Sequence, residues 1–173
     1  DNLLEVGRLD AQGFQAHPKA THLQTTISPL ITTFQNNFRE NGEVRFSAHD
    51  APIFAQVDVS TLPTIVLNLL DNARKYGEDK GIKIELGLQD GLAALTVQDF
   101  GKGIAKEDLP HVFERFWRAG DEKIRTTPGV GLGLFLIQQL AEAQGAQIFV
   151  HSEGLGEGSL FKVCWPLAKE GQA

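Results

Sequence analysis

The chain has 173 residues, of which 42% are hydrophobic and 22% charged, which suits one compact domain able to bury a sizeable core without staples. A formal net charge of −6 at pH 7 argues against broad binding to nucleic acid or anionic membranes. The single cysteine, Cys164, excludes an intramolecular disulfide, and its neighbours Phe161, Val163 and Trp165 make it an expected inert, buried thiol. No apolar run approaches the roughly 20 residues of a spanning helix, no signal peptide opens the chain, and methionine is absent even at position 1. A piece of a longer polypeptide is therefore expected.

In chain order, Asp1 to Gly13 hold a short amphipathic piece (Leu3, Leu4, Val6, Leu9), too short to be stable alone. Phe14 to Ala20, with Pro18, reads as a linker. From Ser28, apolar residues Leu30, Ile31, Phe34 and Phe38 recur at helical spacing, and Asn41-Gly42 should close that helix. Val44–Ala48 and Ile53–Val57 read as strands. Ser60 is placed to cap the next helix, with Pro63 in its first turn and Gly77 at its end. Ile82–Leu88 and Leu92–Val97 alternate around Gln89-Asp90-Gly91, a strong hairpin signal. A turn at Asp99 to Gly103, a helical piece at Glu107 to Arg118 and a polar stretch at Ala119 to Pro128 follow. A glycine-rich opening at Gly129 leads into a helix reaching Gln144 and stopped by Gly145, and strands at Ala146–His151 and Ser159–Trp165 finish the pattern. The expected architecture is α+β: a two-layer α/β sandwich with a mixed sheet of about five strands covered by three helices.

Four segments carry chemistry. In the helix after Ser60, Leu62, Ile65, Val66, Leu69, Leu70 and Ala73 form one apolar stripe. Asn68, Asn72, Lys75 and Tyr76 line the other side. Two amides, an ammonium and a phenol in a row suit a metal, phosphates and a flat base better than plain solvation. Asp99 should emerge at a strand end. As a hydrogen-bond acceptor it can take the amine proton of adenine, where guanine presents a carbonyl, and a site built on such a contact rejects the wrong partner by roughly four or five orders of magnitude. Gly101 and Gly103 let backbone approach a ligand. Gly129, Gly131 and Gly133, at a helix N-terminus, offer N–H groups to an anion; Leu134-Phe135 stand where a P-loop needs Lys and Ser or Thr, and leucines at 134 and 136 break a dinucleotide fingerprint. Phe113 and Phe116, three apart on one expected helical face, together with the glycines bracket the polar stretch as anchors of a lid.

In their order and spacing, Asn-x-x-x-Asn-x-x-Lys-Tyr, Asp-x-Gly-x-Gly, Phe-x-x-Phe and Gly-x-Gly-x-Gly-Leu resemble the N, G1, F and G2 boxes of the ATP-binding catalytic domain of sensor histidine kinases, in the gyrase, Hsp90, histidine kinase and MutL superfamily with its Bergerat-type fold. The likeness spans about Phe38 to Pro166. It implies that Asn72, with Asn68 beside it, coordinates Mg2+, that Lys75 reaches phosphates and that Tyr76 flanks the adenine held by Asp99. It further implies that Gly101, Gly103 and Ile104 shape the pocket wall, that Phe113 and Phe116 anchor the lid, that Arg118 contacts phosphate, and that Gly129, Val130, Gly131, Leu132 and Gly133 form the lid's hinge. ATP-hydrolysing members of the superfamily carry a glutamate where Asn68 stands, and an amide cannot take a proton near neutral pH. That favours a kinase, which holds ATP for an incoming imidazole.

The resemblance also implies partners: a dimerisation and phosphotransfer domain of the same protein, a response regulator, a full-length homodimer with this piece monomeric alone, no nucleic acid, and a membrane reached only through a missing sensor region, placing the piece in the cytoplasm. Residues 1–22 would be the end of a dimerisation helix and its linker, and 23–173 the catalytic domain. His49-Asp50-Ala51-Pro52 mimics a phosphoacceptor but falls between strands, so the acceptor histidine is expected upstream and the piece is not expected to phosphorylate itself. The competing readings are an anti-sigma-type serine kinase, whose members generally lack the Phe-x-x-Phe segment, and a nucleotide-sensing module without kinase activity, against which the intact Asn72, Asp99 and paired glycines count.

Overall fold

The computed structural model of the chain describes residues 14–37, 42–118 and 131–169. Its strands are β1 (Lys19–His22), β2 (Val44–Ala48), β3 (Phe54–Val57), β4 (Ile82–Gln89), β5 (Leu92–Asp99), β6 (Gln147–His151) and β7 (Ser159–Pro166), and its helices are α1 (Leu23–Asn37), α2 (Leu62–Tyr76) and α3 (Gly133–Ala143). Five strands form one mixed sheet in the order β2-β4-β5-β7-β6, with β2 parallel to β4 and the other pairs antiparallel. β1 and β3 make a separate antiparallel pair.

Alternation along the strands sorts the two faces. Ile82, Ile84 and Leu86 of β4, Leu95 and Val97 of β5, and Phe161, Val163 and Trp165 of β7 are buried together with the inner residues of all three helices. Lys83, Glu85, Thr96, Gln98 and Lys162, on alternate positions, are exposed or half-buried. The expected two-layer α+β sandwich is what forms. Asp99 shares the parity of Leu95 and Val97, so the last residue of β5 points its carboxylate into the layer between sheet and helices, 2% exposed. Cys164 is buried, and burial pushes its thiol up, as expected of an inert group.

In α2 the buried residues are Leu62, Ile65, Val66, Leu69, Leu70 and Ala73, the stripe read from the sequence. Each large member contributes about 1.5–3 kcal/mol by leaving water. The helix begins differently from expectation. Thr61 is its N-cap, and Ser60 instead donates its hydroxyl to Asp58 Oδ1 at 2.6 Å. Asp58 also accepts the N–H of His17 at 2.9 Å and that of Ser60 at 3.0 Å. Its own N–H donates to Oε1 of the buried Gln144, whose Nε2 donates to Thr61 Oγ1, both at 3.0 Å. This knot ties the start of α2 to the end of α3 and to the incoming chain.

Three other expectations are corrected. Lys19–His22, partly inside the stretch read as linker, is a strand, because it pairs residue for residue with β3. α1 starts at Leu23 rather than Ser28, and its expected closure at Asn41 lies outside the described residues. Glu107 to Arg118 is no α-helix: a single 3-10 turn covers Leu109–His111, and turns follow it.

Candidate functional site

The site is built where α2 ends over the end of β5. Gly101 is the tightest point. A Cβ there would stand 1.8 Å from the Tyr76 carbonyl oxygen and 2.5 Å from Gly77 Cα, so only glycine lets the turn after Asp99 lie against the last turn of α2. Lys102 N–H then donates to Tyr76 O at 2.9 Å. On its other side the turn is zipped to the β6–β7 loop: Gly156 N–H donates to Lys102 O at 2.7 Å, Gly158 N–H to Gly101 O at 3.2 Å, and Ile104 N–H to Ser152 Oγ at 3.0 Å. Ser152 passes its own proton to Gly158 O at 2.6 Å.

Within this frame the Asp99 carboxylate is held from both sides. Oδ1 accepts Gly101 N–H at 3.0 Å, and Oδ2 accepts the Ser159 hydroxyl at 2.5 Å. Ser159 is the register partner of Asp99 on β7, which puts both side chains on the same face. A carboxylate has acceptor capacity for about four donors, so this one is oriented and still able to take an exocyclic amine. Sequence reading missed Ser159 and Ser152; a serine directly after Gly158 was the available signal.

The amide row stands one turn apart on α2. Asn68 is half-buried and donates Nδ2 to Thr64 O at 2.8 Å. Asn72 is half-buried, and its Nδ2 is shielded from solvent with no hydrogen-bond partner. Such an orphan donor costs about 1–3 kcal/mol, which a ligand presenting an acceptor, such as a phosphate oxygen, would recover; a cation would take the amide oxygen Oδ1 instead. Lys75 is 4.0 Å from Asp71, which Arg74 also approaches at 3.4 Å, and Tyr76 is 37% exposed at the helix end. Among the described residues no group of three or more His, Cys, Asp or Glu side chains could hold a metal. The amide oxygens of Asn68 and Asn72 are neutral donors of the hard kind Mg2+ accepts when most of its shell is phosphate and water.

The aromatic segment is arranged otherwise than read. Phe113 and Phe116 do not share a helical face. Phe113 packs on the core, edge-on to Phe161 with ring centres 6.4 Å apart, whereas Phe116 is 54% exposed and sits at φ 63°. The reason is a tertiary bond: Phe116 N–H donates to Gly131 O at 2.9 Å, which no helical continuation would permit. Gly131, at φ 74°, passes within 2.6 Å (measured from an added Cβ) of Trp117 O. The structure thus brings Phe116 and Gly131 together. Arg118 is half-buried two residues on from Phe116, Leu132 buries its side chain in the core, leaving only its backbone for a ligand, and Gly133 opens α3. Gly129, Val130 and the polar stretch from Ala119 lie outside the described residues.

Residues 57–169 match the family model for histidine kinase-, DNA gyrase B- and HSP90-like ATPases. The sensor histidine kinase MtrB of Mycolicibacterium paratuberculosis is 29% identical over 170 residues, which cover 98% of this chain and 30% of that protein. The sensor histidine kinase YkoH of Bacillus subtilis is 32% identical over 148 residues, 86% of this chain and 32% of that protein. The chain spans about a third of the length of these relatives. Among solved structures, a mycobacterial sensor histidine kinase, MprB, superposes with a TM-score of 0.72 at 26% identity, covering 87% of this chain and 98% of that one. Full-length ShkA, solved in complex with AMPPNP, gives 0.80 at 26% identity, covering 97% and 35%.

Proposed function

Because the chain belongs to the family of histidine kinase-, DNA gyrase B- and HSP90-like ATPases, we propose that it is the ATP-binding catalytic part of a sensor histidine kinase and donates the γ-phosphoryl group of ATP to a histidine on a dimerisation domain. The observation that carries this reading is Asp99: a buried carboxylate at the end of β5, beside the last turn of α2, whose two oxygens are oriented by Gly101 N–H and the Ser159 hydroxyl. There it accepts the adenine amine, with Tyr76 at the rim. Asn72 offers its amide to a Mg2+ that neutralises phosphate charge, Lys75 offers an ammonium to the phosphates, and Arg118 with the Gly131–Gly133 backbone closes the phosphate side. Asn68, an amide without basicity, leaves water unactivated, so the site works by positioning and charge stabilisation.

The acceptor lies elsewhere. His17, His22, His49, His111 and His151 all fall outside the helices, on strands, loops or the 3-10 turn, and the His49 ring is engaged with Ala51 at 3.2 Å. A response regulator and a second copy of the full-length protein complete the proposed pathway of the phosphoryl group.

Calorimetric titration with ATP, with and without Mg2+, tests the site. Asp99→Asn should weaken binding by about a hundredfold, since an amide presents a donor to the adenine amine; undiminished binding overturns the adenine assignment. Asn72→Asp should change the Mg2+ dependence more than the preference for ATP over GTP; equal changes in both would sink the metal assignment. Radiolabelled γ-phosphate should not appear on this chain alone.

A further inference from the structure

Arg115 belongs to the aromatic segment, yet the family resemblance gives it no role. Its guanidinium carbon stands 5.2 Å from the Phe116 ring centre and 5.8 Å from that of Phe135. Phe135 lies in the first turn of α3, and Phe116 is the residue whose N–H bonds to Gly131 O, just before that helix. One cation therefore bridges rings from the two chain segments that also share a backbone bond. Phe116 holds φ 63°, a conformation that costs a bulky residue free energy and persists only where its surroundings enforce it.

We propose that Arg115 is a positioning residue. Its guanidinium, laid over Phe116 and Phe135, locks 115–118 to the start of α3 and so sets where Arg118 and the Gly131–Gly133 backbone stand for a nucleotide's phosphates. A planar guanidinium stacks on aromatic faces in a way an ammonium does not, so the position calls for arginine rather than any cation. The clamp is a property of the free protein; only its consequence for phosphates rests on the nucleotide reading.

Hydrogen exchange of the Phe116 amide in the nucleotide-free chain tests the clamp directly. Arg115→Gln should speed that exchange about tenfold, equivalent to about 1.4 kcal/mol and within reach of a cation over two rings. Arg115→Lys should fall between, and β5 amides should be unchanged, which separates local release from misfolding. Phe135→Leu should have a similar effect, and the double variant no more than either alone. Unaltered exchange in Arg115→Gln, or additive effects, would overturn the clamp. Calorimetry with Mg2+ and ATP tests the consequence: Arg115→Gln should bind about fivefold more weakly at an unchanged melting temperature, with Arg115→Lys partly restored. Equal binding by wild type and Arg115→Gln overturns the positioning role. Failure of the wild type to bind ATP overturns the nucleotide reading and this consequence with it, while the exchange result still decides the clamp.

Discussion

Around Asp99, each stretch of chain is tied to the next through backbone groups and buried serines, whereas Phe116 and Gly131 meet beside an exposed ring under an exposed arginine. The first region is a tightly tied turn with little room to adjust; the second is a junction whose stability comes from surface contacts worth about 1 kcal/mol each. Discrimination between bases needs the rigid kind of construction, because an oriented acceptor rejects a wrong partner only if it cannot move to accommodate it. Enclosing and releasing phosphates needs the adjustable kind, since segments that move are drawn from the less stable parts of a fold.

The sharpest way to break this contrast is Gly101→Ala. The new Cβ would overlap the Tyr76 carbonyl at 1.8 Å, and its neighbours there are backbone atoms that cannot swing away. We expect a loss of about 3 kcal/mol or more, read as a fall in urea midpoint with unchanged slope. If the variant melts like the wild type, the turn is not rigid and the contrast fails on its stronger side.

Asp58 asks whether the two regions share a foundation, since its knot joins the far ends of α2 and α3, the helices on which both stand. Burial alone would raise its pKa, but the His17 N–H and the Ser60 hydroxyl and N–H outweigh that and hold the carboxyl below the usual range. A folded pKa below the unfolded value means the stabilisation is present above the ordinary carboxylate value of about 3.9 and is lost as pH falls through the folded value. Asp58→Asn should therefore cost about 1–2 kcal/mol at pH 7, and the gap from wild type should close below about pH 4. A gap independent of pH would show that packing, not the charge, makes the knot.

The rigid region was also the more legible in the sequence. Period alone marked every buried residue of α2, and Asp-x-Gly-x-Gly after an alternating run placed Asp99 at a strand end, because both signals are local. Ser159 escaped notice because it meets Asp99 across 60 residues of sequence, and only the strand order brings β5 and β7 side by side. The aromatic segment misled for a related reason. Phe113 and Phe116 have helical spacing, but the bond from Phe116 to Gly131 and its positive φ are tertiary demands that override local preference. Lys19–His22 likewise shows no strand character without β3 to pair with.

The smallest expected effect probes the adjustable side. Phe116→Gly removes a ring that is 54% exposed, so little burial is lost, together with its share of the Arg115 contact. It also relieves a left-handed backbone at φ 63°, worth about 1–2 kcal/mol for a residue with a Cβ. Against that relief stands the extra freedom glycine gives the unfolded chain, about 0.4–1 kcal/mol, and the lost stacking of about 0.5–1 kcal/mol. These nearly cancel, and the thermal midpoint should move by no more than a few degrees in either direction. A large fall would mean that the exposed ring anchors the fold as Phe113 does, and that the junction is as rigid as the turn after Asp99.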